Sequence, residues 1–178
     1  LRTDAIDVIC GALSAAPEEI TQIRTQKKGM TNRSFLFRCR GRRYIMRIPG
    51  EGTRQLINRR EEADVYAALA GRGISDDVLY INPEHGYKIS AFLEGAREGD
   101  PFCAQDVCRC MAHLRAFHEQ KLTVGHTFDL FGRIDFYRSL WNGAPSAYRD
   151  YEETYAHVQS LRPFLPAHAL PPVLSHID

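Results

Sequence analysis

The sequence predicts an α+β protein in two lobes: a small lobe with a five-stranded antiparallel sheet carrying one helix, then a mostly helical region. Three observations carry this expectation. Apolar and polar residues alternate between Ile20 and Ile48, the period of half-buried strands. A single amphipathic helix separates that stretch from two further strand-like runs. Beyond the polar stretch LEGAREGDP the pattern becomes almost wholly helical, which places a linker and hinge near Glu94 and Gly95. The expected division is therefore residues 1–94 for the small lobe, with its N-terminal helix, and 95–178 for the first part of the helical one.

Taken in order, DAIDVICGALSAA spaces Ile6, Ile9 and Leu13 at helical intervals. ITQIRTQ and RSFLFRCRGRRYIMRI then alternate, with Phe35, Phe37 and Cys39 on one face and Arg38 and Arg40 on the other. Gly41 supplies a tight turn, so three antiparallel strands follow one another until Pro49 and Gly50 end the run. In LINRREEADVYAALAGRG, residues Glu62, Val65, Tyr66 and Leu69 fall on one helical stripe, and Gly71 and Gly73 stop it. DDVLYI and YKISAF are strands joined by the turn NPEHG. Further on, AQDVCRCMAHLRAFHEQ puts Val107, Met111, Leu114 and His118 on one side of a helix. FYRSLW and DYEETYAHVQSL are helical as well, and PVLSHI reads as one last strand.

Composition excludes several functions. With 23 Lys and Arg against 22 Asp and Glu, the formal charge is +1, which argues against nucleic-acid binding through bulk charge. No apolar run approaches the roughly 18 residues needed to span a bilayer, and the N-terminus lacks a signal-peptide core, so a cytoplasmic protein without membrane partners is expected. The five cysteines, Cys10, Cys39, Cys103, Cys108 and Cys110, form no C-x-x-C pair, which fits a reducing compartment. Cys108 and Cys110 point to nearly opposite sides of a helix and cannot chelate one metal together.

Glu62 stands out because a lone carboxylate on an apolar stripe is costly to desolvate unless a cation meets it. YIMRI offers that cation: Tyr44, Met46 and Ile48 share one face of the strand, Ile45 and Arg47 the other. A strand cation paired to a helix carboxylate is how protein kinases hold a nucleotide's phosphates. The competing reading is a surface glutamate beside an exposed arginine. KKGMTNRS, between the first two strands, could present amides and hydroxyls to phosphate oxygens through Gly29, Thr31, Asn32 and Ser34. It could equally be an ordinary hairpin turn. SHID ends the chain with His176 and Asp178 in the H-x-D form of a catalytic loop.

Together these residues resemble the choline kinase and aminoglycoside phosphotransferase superfamily, with its protein-kinase-like fold, and within it bacterial choline kinases most closely. The resemblance runs through GMTNRSFLFRCRGRRYIMRIPGEGTRQLINRREE, ISAFLEG, LRAFH and VLSHID, nearly the whole chain. It implies an ATP-dependent kinase that phosphorylates the hydroxyl of choline. Gly29, Thr31, Asn32, Arg33 and Ser34 would cover the phosphates, with Arg47 in place of the kinase lysine and Glu62 as its partner. Ser90 would stand at the gate of the adenine pocket, and the backbones of Ala91 and Leu93 would bond the adenine edge. Asp178 would be the catalytic base, supported by His176.

In that family the loop continues to an asparagine and a later aspartate, both holding Mg2+, and neither lies within these 178 residues. The sequence is thus expected to be the front part of a longer kinase, inactive by itself. Choline's quaternary ammonium requires aromatic faces and a carboxylate. Trp141, Tyr137 and Tyr151 are the first candidates, with Tyr148 and Tyr155 beside them, and ordinary helix packing accounts for such rings equally well. Ethanolamine, thiamine or an aminoglycoside are alternative acceptors, the last favoured by Asp150, Glu152 and Glu153 if they line a cleft. A nucleotide-binding module without catalysis is the alternative of a different class.

Overall fold

The computed structural model of the chain describes residues 3–26, 32–53, 55–164 and 171–176. Helix α1 (Thr3–Leu13) leads into strands β1 (Ile20–Thr25), β2 (Asn32–Cys39) and β3 (Arg42–Pro49). Helix α2 (Arg59–Leu69) is followed by β4 (Val78–Ile81) and β5 (Lys88–Ala91), then by helices α3 (Ala104–Glu119), α4 (Leu130–Ser139) and α5 (Tyr151–Ser160). The α+β fold expected from the sequence is present, with one five-stranded antiparallel sheet in the order β1-β2-β3-β5-β4.

Two compact units form within the chain: Leu1–Val124 together with Leu174–Asp178, and Gly125–Val173. Glu94 and Gly95 lie inside the first of these. No helix among the described residues is long and apolar enough to cross a membrane.

The register of β2 and β3 follows from a two-residue turn in which Arg40 and Gly41 both take positive φ, 47° and 78°, the backbone twist that a tight hairpin needs. Phe37 then lies opposite Tyr44, and their rings stack with centroids 5.5 Å apart. Phe37, Met46 and Ile89 are fully buried on one face of the sheet, where Ala5 and Ile9 of α1, one helical turn apart, pack with them. Strand β1 carries an irregularity between Thr21 and Arg24, where Gln22 adopts φ 52°.

Two expectations need correcting. Residues 172–176, the described part of PVLSHI, form no strand. An apolar run becomes a strand only beside a partner strand, and the Leu174 N–H donates at 2.6 Å to the carbonyl of Leu122, which is itself in no strand. Asn32, Arg33 and Ser34 are strand residues and not part of a turn. They pair with Pro49, Ile48 and Arg47, and the Ser34 carbonyl accepts from the Gln26 N–H at 2.8 Å.

Candidate functional site

Alternation along the strands sends Arg47 of β3 away from the α1 side. Its cross-strand neighbours are Ser34 on β2 and Lys88 on β5, so three polar residues stand in a row over three adjacent strands. Two cations side by side repel one another unless each has its own anion. Helix α2 supplies one. It starts where the Asn58 side chain accepts from the N–H groups of Arg60 and Glu61, which fixes Glu62 in the first turn. Arg47 Nη2 lies 2.6 Å from Glu62 Oε1, and both side chains are largely buried. The ion pair at the centre of the sequence reading is therefore formed, and the surface alternative for these two residues does not hold.

The pair is not closed. Arg47 Nη2 is close to the carboxylate but its N–H is poorly aimed at it, and neither Nε nor Nη2 has a hydrogen-bond acceptor among the described residues. A buried guanidinium with idle donors is suited to an incoming anion.

The second cation is met by Asp76. Lys88 Nζ donates to Asp76 Oδ2 at 2.7 Å and to the Tyr66 hydroxyl at 2.8 Å, and it lies 4.1 Å from the centre of the Tyr66 ring. Burial pushes the Asp76 carboxyl up, but the Lys88 ammonium and the Ser90 hydroxyl outweigh it and hold the group below the ordinary aspartate value. Ser90 is thus a buried partner of Asp76. The Ala91 N–H donates to the Asp77 carbonyl at 2.9 Å, and Leu93 is exposed, its carbonyl accepting from Ala96 N–H at 3.4 Å.

Sequence reasoning missed Arg59, Thr53, Lys88 and Asp76. Arg59 is nearly buried, donating from Nη1 to Glu62 Oε2 at 2.9 Å and from Nη2 to Thr53 Oγ1 at 3.1 Å. The one signal available was its spacing, three residues before the glutamate already singled out.

His176 is exposed, and its N–H donates to His118 Nε2 at 3.4 Å. With Val65 and Leu69 of α2 and Met111, Leu114 and Phe117 of α3 it lines a cavity of about 780 Å³ in the first unit. Val107 and Met111 on the expected apolar side of α3 are exposed. Gly29, Thr31 and Asp178 lie outside the described residues. Among the described residues no group of three His, Cys, Asp or Glu side chains could hold a metal ion.

In the second unit Trp141 and Tyr151 come together, ring centroids 4.7 Å apart, and with Tyr148 line a recess of about 560 Å³. Tyr137 packs against Phe136 and does not line that recess. Arg138 lies over the ring of Tyr155 at 4.1 Å and bonds Glu152 at 2.8 Å, so Glu152 serves an ion pair. Asp135 accepts from Tyr155, Gln159 and Arg162, and the Tyr155 hydroxyl, the largest influence, helps hold its carboxyl low.

A five-stranded antiparallel sheet, one helix whose carboxylate meets a strand guanidinium, and helices thereafter make up a protein-kinase-like α+β fold. Comparison narrows this class. The chain is similar to the choline kinase LicA from Streptococcus pneumoniae, with a TM-score of 0.78 and 25% identity over 99% of this chain and 62% of that one. It is similar to LicA in complex with AMP, with a TM-score of 0.77 and 26% identity, covering 98% of this chain and 61% of that one. In sequence it is 24% identical to Protein LicA of Haemophilus influenzae over 127 residues, 68% of this chain and 37% of that protein. No family model matches. The resemblance to choline kinases read from the sequence is what these comparisons find, and the chain spans less than two thirds of the length of these relatives.

Proposed function

We propose that the protein transfers the γ-phosphoryl group of ATP to the hydroxyl of choline. The observation that carries this reading is the buried Arg47, ion-paired to Glu62 through Nη2 with hydrogen-bonding capacity left over, on a fold shared with choline kinases. In this reading the small lobe ends near Glu94. The adenine edge meets the Ala91 carbonyl and the Leu93 amide behind Ser90, while Arg47 and the segment from Gly29 to Ser34 take the phosphates.

The choline oxygen attacks the γ-phosphorus in line, the bond to the β-γ bridging oxygen breaks, and the hydroxyl proton passes to the Asp178 carboxylate with His176 steadying its loop. ADP leaves. Mg2+ would supply charge neutralisation on the phosphates when bound. Trp141 and Tyr151 give aromatic faces of the kind that hold a quaternary ammonium. The setting we propose is cytoplasmic, with small-molecule partners only.

The test is turnover of the natural full-length protein with ATP and, in parallel, choline, ethanolamine, thiamine and an aminoglycoside, following ADP and the phosphorylated acceptor. Choline phosphorylation is the expected result, and Arg47→Met is expected to lower kcat/KM for ATP by about 10²-fold or more. Turnover of an aminoglycoside without choline overturns the acceptor. ATP binding with no turnover of any acceptor identifies a nucleotide-binding module.

A further inference from the structure

Glu62 is shared by two arginines. Arg47 reaches Oε1 from β3, and Arg59 holds Oε2 from the first position of the glutamate's own helix. Arg59 is the more deeply buried, its side chain 7% exposed against 15% for Arg47. Its other nitrogen is tied through Thr53, whose hydroxyl donates to the Gly50 carbonyl at 2.8 Å, to the turn that follows β3. Gly86, at φ 70° in the turn between β4 and β5, presses on it from another side. A Cβ there would come within 2.8 Å of Arg59 Cδ and Nε and of Pro49 Cγ. Only glycine lets the hairpin approach so closely.

This arrangement has two electrostatic consequences. An arginine facing a lone carboxylate favours a two-bond fork that uses both oxygens. Here Oε2 already accepts from Arg59, so a fork from Arg47 would have to share that oxygen, and Arg47 instead reaches Oε1 with hydrogen-bonding capacity left at Nε and Nη2. Moreover, two guanidinium groups against one carboxylate leave an excess positive charge in a largely desolvated place, which an anion would offset.

We infer that Arg59 is a positioning residue for the polyphosphate of the nucleotide: by holding the second oxygen of Glu62 it keeps Arg47 from closing on that carboxylate and leaves the Arg47–Glu62–Arg59 cluster net cationic. This rests on the nucleotide-binding reading of the same site. Arg59 acts through Glu62 and Arg47 and does not touch the nucleotide.

Calorimetric titration of the full-length protein with ATP, tripolyphosphate and adenosine separates this role from a structural one. Arg59→Met is expected to weaken ATP and tripolyphosphate about tenfold while adenosine changes by less than about twofold, the loss of one charge-assisted contact in the chain of positioning. In turnover, KM for ATP rises by more than kcat falls, and Arg59→Lys, which keeps the charge but not the fork, recovers part of the loss. Unchanged ATP affinity, or equal losses for ATP and adenosine, overturns the inference. Should Arg59→Met fail to fold, Thr53→Val keeps Arg59 and removes the acceptor on its Nη2 together with the hydroxyl's bond to the Gly50 carbonyl, and the same selective loss for ATP and tripolyphosphate, smaller in size, is expected. Equal affinities for all three ligands in Thr53→Val and wild type overturn it. A wild-type protein that binds neither ATP nor tripolyphosphate is a distinct result, since there the nucleotide reading itself fails.

Discussion

On the face of the sheet that α1 covers, Phe37, Met46 and Ile89 are fully buried among apolar neighbours. One residue further along the same strands, on the α2 side, Arg47 and Lys88 stand next to each other with Glu62 and Asp76 across from them. The first face stabilises the protein by removing apolar surface from water. The second carries buried ion pairs, whose desolvation offsets most of their attraction, so that well-packed apolar residues in the same places would hold the fold as well or better. Charge is kept on one face of a sheet for reasons other than stability. The contrast sets apolar packing on one side and, on the function proposed above, anion binding on the other.

The sharpest way to break this division is to truncate each side and compare. Phe37→Ala removes a fully buried ring stacked on Tyr44 and is expected to destabilise by about 3–5 kcal/mol, read from the urea midpoint. On the charged side, Lys88→Met leaves Asp76 beside Ser90 without its cation and is expected to cost about 1–3 kcal/mol. The double substitution Lys88→Met with Asp76→Leu should return to within about 1 kcal/mol of wild type. A double variant as unstable as the single one would show that the charged face supports the fold just as the apolar face does.

The apolar face was readable from the sequence because a period of two needs no partner to be seen: Tyr44 and Met46 point one way, and Arg47 must point the other. Glu62 was readable for a related reason, a carboxylate standing where Val65, Tyr66 and Leu69 form a stripe. Arg59 was not. It occupies the first position of α2, where charged side chains ordinarily meet solvent, and its burial depends on Gly86 arriving from a hairpin later in the chain. Lys88 and Asp76, twelve residues apart, become partners only once β5 lies beside β3 and faces α2. PVLSHI misled for the opposite reason: apolar content suggests a strand, but pairing decides it. The roles of Gly29, Thr31 and Asp178 lie outside the described residues.

A third charge pair refines the contrast, because it is a closed two-bond fork that also fastens backbone. In the stretch read from sequence as a linker, Arg97 grips Asp106 of α3 through both nitrogens, at 2.6 and 2.7 Å, and the Asp100 N–H adds a bond at 3.0 Å. The Arg97 guanidinium, foremost, holds the Asp106 carboxyl down to about 2, against 3.8 for an ordinary aspartate. Between those values the unfolded chain takes up a proton that the folded one refuses, so protonation favours unfolding. The contribution is present in full above the ordinary value and is lost as pH falls through about 2. The urea midpoint is therefore expected to drop over that window, and Asp106→Asn should remove this part of the drop. Glu19, also held at about 2 by Arg40, titrates in the same range; both arginines are exposed, but the Glu19 side chain is 37% exposed against 8% for Asp106. Added salt should therefore flatten the Glu19 share while the part removed by Asp106→Asn persists. If salt erases both alike, the linker pair behaves as a surface contact and does not differ in kind from the Arg40–Glu19 pair.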